Sequence, residues 1–584
     1  MPEMTTPEVA LAQVTIDGKV VTVPVGTTVL AAAKQADIYI PTLCDHPDQA
    51  PKGNCRICLV EIDGVRLPQP ACEAQVRDGM VVNTNSATIR KIRSTVLELI
   101  IAHHPLNCLY CYRNGLCDLQ TVAQNLNYTT QPRFIPAVHD DAPDLSSPSI
   151  IRDPSKCIVC GRCEFVCSNI QTVHALAKEG RGFETVYKPA FGKLLGETVC
   201  VNCGQCVQVC PVAAIRVHDD TPQVWDAIAD TKHKVIAQVA PSVRITIAEA
   251  LGEAPGTIST GRLVTALKSL GIDIVFDTDV SADLTIMEEG TELISRLQNG
   301  GTLPMITSCC PGWVKFCETF YPELLPNLSS CKSPQGMFGA LIKTFYADKL
   351  GVQPDDLFSL SVMPCTAKKF EAGRPELGRD GRPDVDGVIT VQELAHMIKS
   401  SGLNFATLPE TKFDDPFGLG TGAGEIFGTT GGVMEAALRT VYEVVTGKPL
   451  EKIDFVECRG FAGIKEAVVP MGDLTVKVAI AHGLGNARKL MDAVKRGETD
   501  YQFIEIMACP GGCIGGGGNP IKDWNKMAQR FDAVYTLDEE LPVRKSHENP
   551  AVIALYDQFL GQPNSHRAHE LLHTAYQDRS ALLD

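Results

Sequence analysis

Polar and apolar residues alternate through Val14 and Ile16 in AQVTIDGKVVTVPVGTTVLAAAK (residues 12–34), break at Asp17-Gly18, and resume in a second β-rich run. Period-two alternation on both sides of an Asp-Gly pair predicts a β-hairpin. Thr27 or Thr28 can then cap a short helix through Ala36. Over 88–124 the spacing becomes helical, with Ile92, Val96, Leu97 and Ile100 on one side. Residues 128–150 lack any period and are rich in Pro, Asp and Ser, the composition of a linker. From residue 219 onward strand and helix patterns alternate, which implies α/β layers. VIAQVA at 235–240 reads as a buried strand, 258–270 as a helix, and GTTGGVMEAAL at 428–438 as a Gly-rich turn opening another helix. The tail beyond residue 548 reads as helical, with turns near Pro563 and His566.

The chain of 584 residues is long enough for several domains. A net charge of −16 argues against nucleic acid as a partner. Apolar stretches such as 96–102 are far too short to span a bilayer. The opening residues carry neither a basic-then-apolar leader nor a twin arginine. A cytoplasmic chain without membrane contact is expected. The 23 cysteines change the picture most. Their tight local spacing suits metal ligation better than disulfides, and thiolate ligands need a reducing compartment.

Cys44, Cys55, Cys58 and Cys72 are spaced C-x10-C-x2-C-x13-C. This departs from the plant-ferredoxin spacing but keeps its central C-x2-C, and it predicts a 2Fe–2S site. Hairpin, helix and cysteine loop together look like the β-grasp fold of those ferredoxins. A zinc site competes, although zinc favours two C-x-x-C pairs and only one is present. Next comes His104-x3-Cys108-x2-Cys111-x5-Cys117, a set in which one imidazole replaces a thiolate on a 4Fe–4S cube. A Cys3His zinc site competes here, and His103 competes with His104 for the ligand role. Cys157, Cys160, Cys163 and Cys167, then Cys200, Cys203, Cys206 and Cys210-Pro, repeat the two-cluster ferredoxin pattern, in which each fourth cysteine serves the other cube. The expected sets are therefore Cys157, Cys160, Cys163 and Cys210, and Cys200, Cys203, Cys206 and Cys167.

Four more cysteines sit in three strings: Cys310 in TSCCPGW (307–313), Cys365 in MPCTAKKFE (363–371), and Cys509 and Cys513 in EIMACPGGCIGGGGNP (505–520). Spacing alone says only that they could hold another cube. The three complete strings, behind four accessory cluster motifs, closely resemble the FeFe-hydrogenases, in particular their large monomeric clostridial type. The resemblance covers nearly the whole chain.

That resemblance implies an H-cluster, a 4Fe–4S cube joined to a two-iron subsite with carbon monoxide, cyanide and an amine-containing dithiolate. It makes Cys513 the bridging thiolate. It also implies reversible interconversion of dihydrogen with protons and electrons. Cys309 is surplus to a full ligand quartet, and a thiol can give and retake a proton; the resemblance assigns it to proton relay, against the alternative of an inert buried cysteine. Glu289, Glu292 and Arg296 are spaced i, i+3, i+7 and share one helix face. The resemblance implies a path through Glu289, Ser329, Glu292 and Arg296, whereas an ordinary charged face would be solvated. Lys368 and Ser242, beside Pro241, match the family's cyanide donors. Gln335, Met363, Phe427 and Met507 match positions lining its pocket. Cys317, Cys331 and Cys458 read as buried small residues.

The expected architecture is an α+β multidomain protein: a β-grasp 2Fe–2S domain (1–87), a small helical His/Cys3 cluster domain (88–127), a bacterial-type ferredoxin domain with its linker (128–217), and a large α/β catalytic domain (218–584). A monomer is expected, exchanging electrons with ferredoxin or a similar soluble carrier and loaded by maturation proteins. Residues 10–217 also resemble large subunits of NADH–quinone oxidoreductases, but an electron-wire role leaves the last four cysteines unexplained. A hydrogenase-related iron–sulfur carrier, or a sensory relative, would depart from the complete strings or lose Cys309.

Overall fold

Asp17 and Gly18 take φ of 46° and 81°, the paired positive angles of a type I′ turn. They join Leu11–Ile16 to Lys19–Pro24, antiparallel with Ile16 opposite Lys19. The computed structural model describes residues 10–129, 133–134, 141–472 and 474–583. The leader expectation therefore lies partly outside the described residues. In the first sheet, strands follow the order Lys19–Pro24, Leu11–Ile16, Met80–Asn83, Leu59–Ile62, Gln69–Pro70. The centre pair is parallel and its neighbours antiparallel, as in a β-grasp sheet. Thr28, rather than Thr27, caps helix Val29–Gln35, accepting from the Ala31 amide at 3.2 Å.

The helix expected over 88–124 is broken. One helix spans Ala87–Ala102, another Asp118–Asn125, and the cysteine loop lies between them. Its buried stripe is Ile89, Arg93, Leu97 and Ile101, rotated from the expected face. Ile92, Val96 and Ile100 are only half-buried. The fully buried Arg93 accounts for the error: its guanidinium donates to Leu59 O at 3.1 Å while its stem packs inward. The expected linker lies partly on residues 130–132 and 135–140, outside the described residues. Its end is not a linker. Asp144 accepts from the Leu195 amide at 2.8 Å and the Ser146 amide at 3.0 Å, and Ser147, Ser149 and Ile150 are buried.

Strands Ile150–Arg152 and Ile215–Val217 pair to close the ferredoxin-like unit. Beyond it lie two four-stranded sheets. The first is parallel, in the order Ile274–Asp277, Lys234–Val239, Leu357–Met363, Gly387–Thr390. The second runs Met305–Ile306, Phe503–Met507, Leu474–His482, Ile464–Met471, with only the last pair antiparallel. Both are covered by helices, so their inner strands are buried almost end to end and mostly apolar, with Gln238 and Glu505 among the buried polar exceptions. Cysteine strings and pocket residues follow the carboxyl ends of these strands, where open α/β sheets bind ligands. In the tail, the expected turn at His566 is instead the start of helix His566–Leu572. Among the described residues no helix is long and apolar enough to cross a membrane.

Candidate functional site

Three strand ends deliver four thiols to one place: Met305–Ile306 leads to Cys310, Leu357–Met363 to Cys365, and Phe503–Met507 to Cys509 and Cys513. Each sulfur is pushed up by burial, and the charges of its partners add to it: Cys509 and Cys310 on Cys365, Cys365 and Cys310 on Cys513. Burial and mutual repulsion keep such thiols neutral, and ionising all four together is costly unless a metal holds them as thiolates. The Ala508 amide donates to Cys310 Sγ at 3.4 Å.

Against this quartet lies a cavity walled by Pro241, Ser242, Cys309, Gln335, Met363, Lys368, Phe427 and Met507, among others. It collects every pocket residue expected from the sequence. Ser242 Oγ and Gln335 Oε1 are buried without a hydrogen-bond partner. The Gln335 amide donates to Lys368 O at 3.2 Å and Glu371 at 3.0 Å, so its carbonyl is the end left bare. Orphaned polar atoms of this kind are rare in a finished core and fit a bound group that supplies partners. Lys368 Nζ donates to Glu371 at 2.8 Å and Cys309 O at 3.2 Å. Burial opposes its charge, but Glu371 holds it above the usual lysine range. Sequence reasoning missed Glu371, although it lies one helical turn after Lys368.

Helix Asp279–Asn299 carries the acids. Glu289 is fully buried rather than on a solvated face, and neither of its carboxyl oxygens has a hydrogen-bond partner. Burial, then Glu292, push it up to about 8. Burial and Glu289 likewise push the Cys309 thiol up. Ser329 Oγ donates to Glu292 at 3.0 Å, and Arg296 grips the other Glu292 oxygen at 2.6 Å near the surface. The four expected residues and Cys309 thus run from cavity toward solvent.

The upstream cysteines converge in sets too. Cys58 and Cys72 sulfurs are 3.5 Å apart, and the Cys55 amide donates to Cys44 Sγ at 3.5 Å. His104, Cys108, Cys111 and Cys117 line a second cavity. Pro105 O lies 2.9 Å from His104 Nδ1, and a carbonyl can only accept, so the proton sits on Nδ1. Nε2 is left buried, bare and unpartnered. His103 instead stacks on Phe183 at 5.0 Å. Cys157, Cys160, Cys163 and Cys210 line a third cavity, and Cys167, Cys200, Cys203 and Cys206 a fourth, in the crossed sets.

Interdomain contacts join these cavities into a branched line. Asn54, beside Cys55, donates to Cys160 O at 3.2 Å. The Asp118 amide, beside Cys117, donates to Pro211 O at 2.9 Å, next to Cys210. At the far end, Thr366 donates to Asn202 O at 2.7 Å, and Gln171 donates to Ala508 O at 2.9 Å and Cys203 Sγ at 3.6 Å. The sequence gives no sign of these glutamine and threonine bridges, because Thr366 and Asn202 lie 164 residues apart and Gln171 and Ala508 lie 337 apart.

Family models match in the same order. A 2Fe-2S iron-sulfur cluster binding domain matches residues 10–87, an NADH-ubiquinone oxidoreductase-G iron-sulfur binding region 93–132, and a 4Fe-4S dicluster domain 156–221. The C-terminal domain of the iron only hydrogenase large subunit matches 233–517, and the iron hydrogenase small subunit 525–579. The NADP-reducing hydrogenase subunit HndD of Solidesulfovibrio fructosivorans is 50% identical over 98% of this chain and 100% of its own. Iron hydrogenase 1 of Clostridium pasteurianum is 41% identical, over 94% and 97%. A solved apo FeFe-hydrogenase from Chlamydomonas reinhardtii is 45% identical, with a TM-score of 0.57, over 62% of this chain and 99% of its own. The chain belongs to the iron-only, or FeFe-, hydrogenases, with accessory iron–sulfur domains ahead of its hydrogenase domain.

Proposed function

We propose that Cys310, Cys365, Cys509 and Cys513 hold an H-cluster, with Cys513 shared between its cube and its two-iron subsite, and that the four upstream sets hold one 2Fe–2S and three 4Fe–4S clusters. When bound, the H-cluster supplies the redox centre at which dihydrogen is made or split. The chain's residues prepare that centre. Ser242 and Lys368 offer donors to cyanide ligands, while Met363, Phe427 and Met507 keep water from the cavity. The half-buried Cys309 thiol and the protonated Glu289 each hold one proton beside it. Ser329 and Glu292 carry protons onward, and Arg296 orients Glu292 at the surface end.

Electrons travel the branched line of cysteine sets, entering or leaving at the 2Fe–2S or His104 site. Ferredoxin or a similar carrier serves a monomeric enzyme in the cytoplasm, and dedicated maturation proteins install the two-iron subsite. End-to-end similarity to a subunit of an NADP-reducing hydrogenase favours a second reading of the partner: a companion subunit that passes electrons to a nicotinamide nucleotide.

The observation that carries this reading is the meeting of four thiols with a cavity containing the orphaned Ser242 and Gln335 atoms. Infrared absorption of anaerobic, matured protein tests it. Carbonyl and cyanide bands, with hydrogen evolution from reduced viologen, are expected. Matured protein lacking those bands would instead be an electron carrier. Sizing of the native complex separates monomer from subunit.

A further inference from the structure

His573 comes from the C-terminal tail, and backbone bonds fix it beside the acid chain. The Lys332 amide donates to Leu572 O at 2.7 Å and the Thr574 amide to Ser330 O at 2.8 Å, so Cys331 and His573 form a bridge pair. The imidazole is buried. Its Nδ1 lies 2.8 Å from the Ser330 hydroxyl, and its Nε2 lies 3.1 Å from Glu288. The same Ser330 hydroxyl lies 3.2 Å from Glu292. The groups facing the ring are Glu288 and Glu292 from the acid helix, the Cys331 thiol, Tyr556 on Glu288, and exposed His569, stacked at 4.3 Å. Arg296 reaches this cluster only through Glu292.

Ser330 has one hydroxyl proton and two acceptors in reach. Glu288 accepts from the Tyr556 hydroxyl on one oxygen and from the Asn564 amide at 2.8 Å on the other, so it is the acceptor of the Nε2 hydrogen bond as well. With the imidazole neutral, Nδ1 is bare and takes the Ser330 hydroxyl proton, while the Ser330 oxygen accepts from a protonated Glu292. With the imidazole charged, Nδ1–H donates to Ser330, whose proton turns to the Glu292 carboxylate. The two arrangements hold the same protons and differ in whether one of them sits on Glu292 or on His573. The O–H bond of Glu292 breaks as a new one forms at Ser330, and the original Ser330 O–H breaks as N–H forms at Nδ1. No electron changes hands.

We propose that His573, through Ser330, is a side station on the proton conduit that stores one proton in exchange with Glu292. The inference rests on the reading of Glu289, Ser329 and Glu292 as that conduit. His573 touches no reacting atom, so it is a positioning residue acting through Glu292.

Ser330→Ala removes only the hydroxyl and leaves its amide on Glu292, 3.1 Å away. His573→Gln keeps a polar side chain in the same cage. Matured holoenzyme carrying each change, both, or Glu292→Gln is assayed for hydrogen evolution from reduced methyl viologen across about pH 5 to 9. Infrared bands check that the cofactor is in place. Expected are unchanged bands, turnover lowered about three-fold or more near neutral pH, and an alkaline limb moved to lower pH by the same amount in the single and double variants. A second readout needs no H-cluster activity: in unmatured protein with 15N-labelled histidine, the His573 titration shifts in Ser330→Ala. Wild-type profiles in both single variants, with Glu292→Gln crippled, overturn the side station and leave the conduit standing. Wild-type turnover in Glu292→Gln overturns the conduit and the station together. A loss equal at every pH, additive losses in the double variant, or an unmoved titration gives the two residues a packing role and overturns the proposal.

Discussion

Cys509 Sγ lies 3.9 Å from Cys203 O, so cysteines of two different sets are in van der Waals contact across a domain boundary. Gly204 makes the approach possible. Its φ is +68°, and a Cβ there would sit 2.4 Å from Thr366 Oγ1 and 3.0 Å from Gly517 Cα. Gly204→Ala should strain the backbone by about 1 kcal/mol or more and push the two sets apart. The expected result is slower hydrogen evolution from reduced ferredoxin with the infrared bands retained. An unchanged rate would show that this contact does not limit electron flow.

His104 and His103 separate cleanly by iron content. His104→Ala removes the buried, unpartnered Nε2 and should cost about four iron atoms per chain. His103→Ala, which removes a ring stacked on Phe183, should keep them. Equal iron in both variants would mean that the Cys108, Cys111 and Cys117 site does not use His104.

Glu289 makes a pH prediction with a definite sign. Below its ordinary value of 4.5 the carboxyl is protonated in both folded and unfolded chains. Between 4.5 and about 8 the unfolded chain loses that proton while the buried site keeps it. The folded state then binds more protons, so its stability falls as pH rises through this window. Glu289→Gln should flatten the fall, gaining up to a few kcal/mol at the alkaline end. Denaturation midpoints of unmatured protein at the two ends of the window measure this. The same change should lower turnover of matured enzyme about 100-fold or more. Undiminished hydrogen evolution would remove Glu289 from the conduit.

Ser242 should respond oppositely in empty and loaded protein. In unmatured protein, Ser242→Ala deletes an unsatisfied buried hydroxyl and should be neutral or stabilising by about 1 kcal/mol. In matured protein it should shift a cyanide infrared band. An unmoved spectrum would mean that the hydroxyl does not meet a cyanide ligand.

The hairpin at Asp17-Gly18, the cap at Thr28 and the strand Lys234–Val239 were legible because each is set by neighbours in sequence. The wrong helix face at Ile92 and the misread end of the linker share one cause. Arg93 and Asp144 are polar residues satisfied by partners far along the chain, Leu59 and Leu195, so hydrophobic pattern alone misplaces them.

By itself the sequence determined which side chains could be ligands, since cysteine spacing is a local property and a thiolate's chemistry travels with the residue. Tertiary structure alone decided which thiols face one cavity, and that Nε2 of His104 is bare. It also decided that a tail histidine reaches Ser330 and Glu292. Burial and long-range hydrogen bonding depend on segments meeting across hundreds of residues, and no local pattern encodes that meeting.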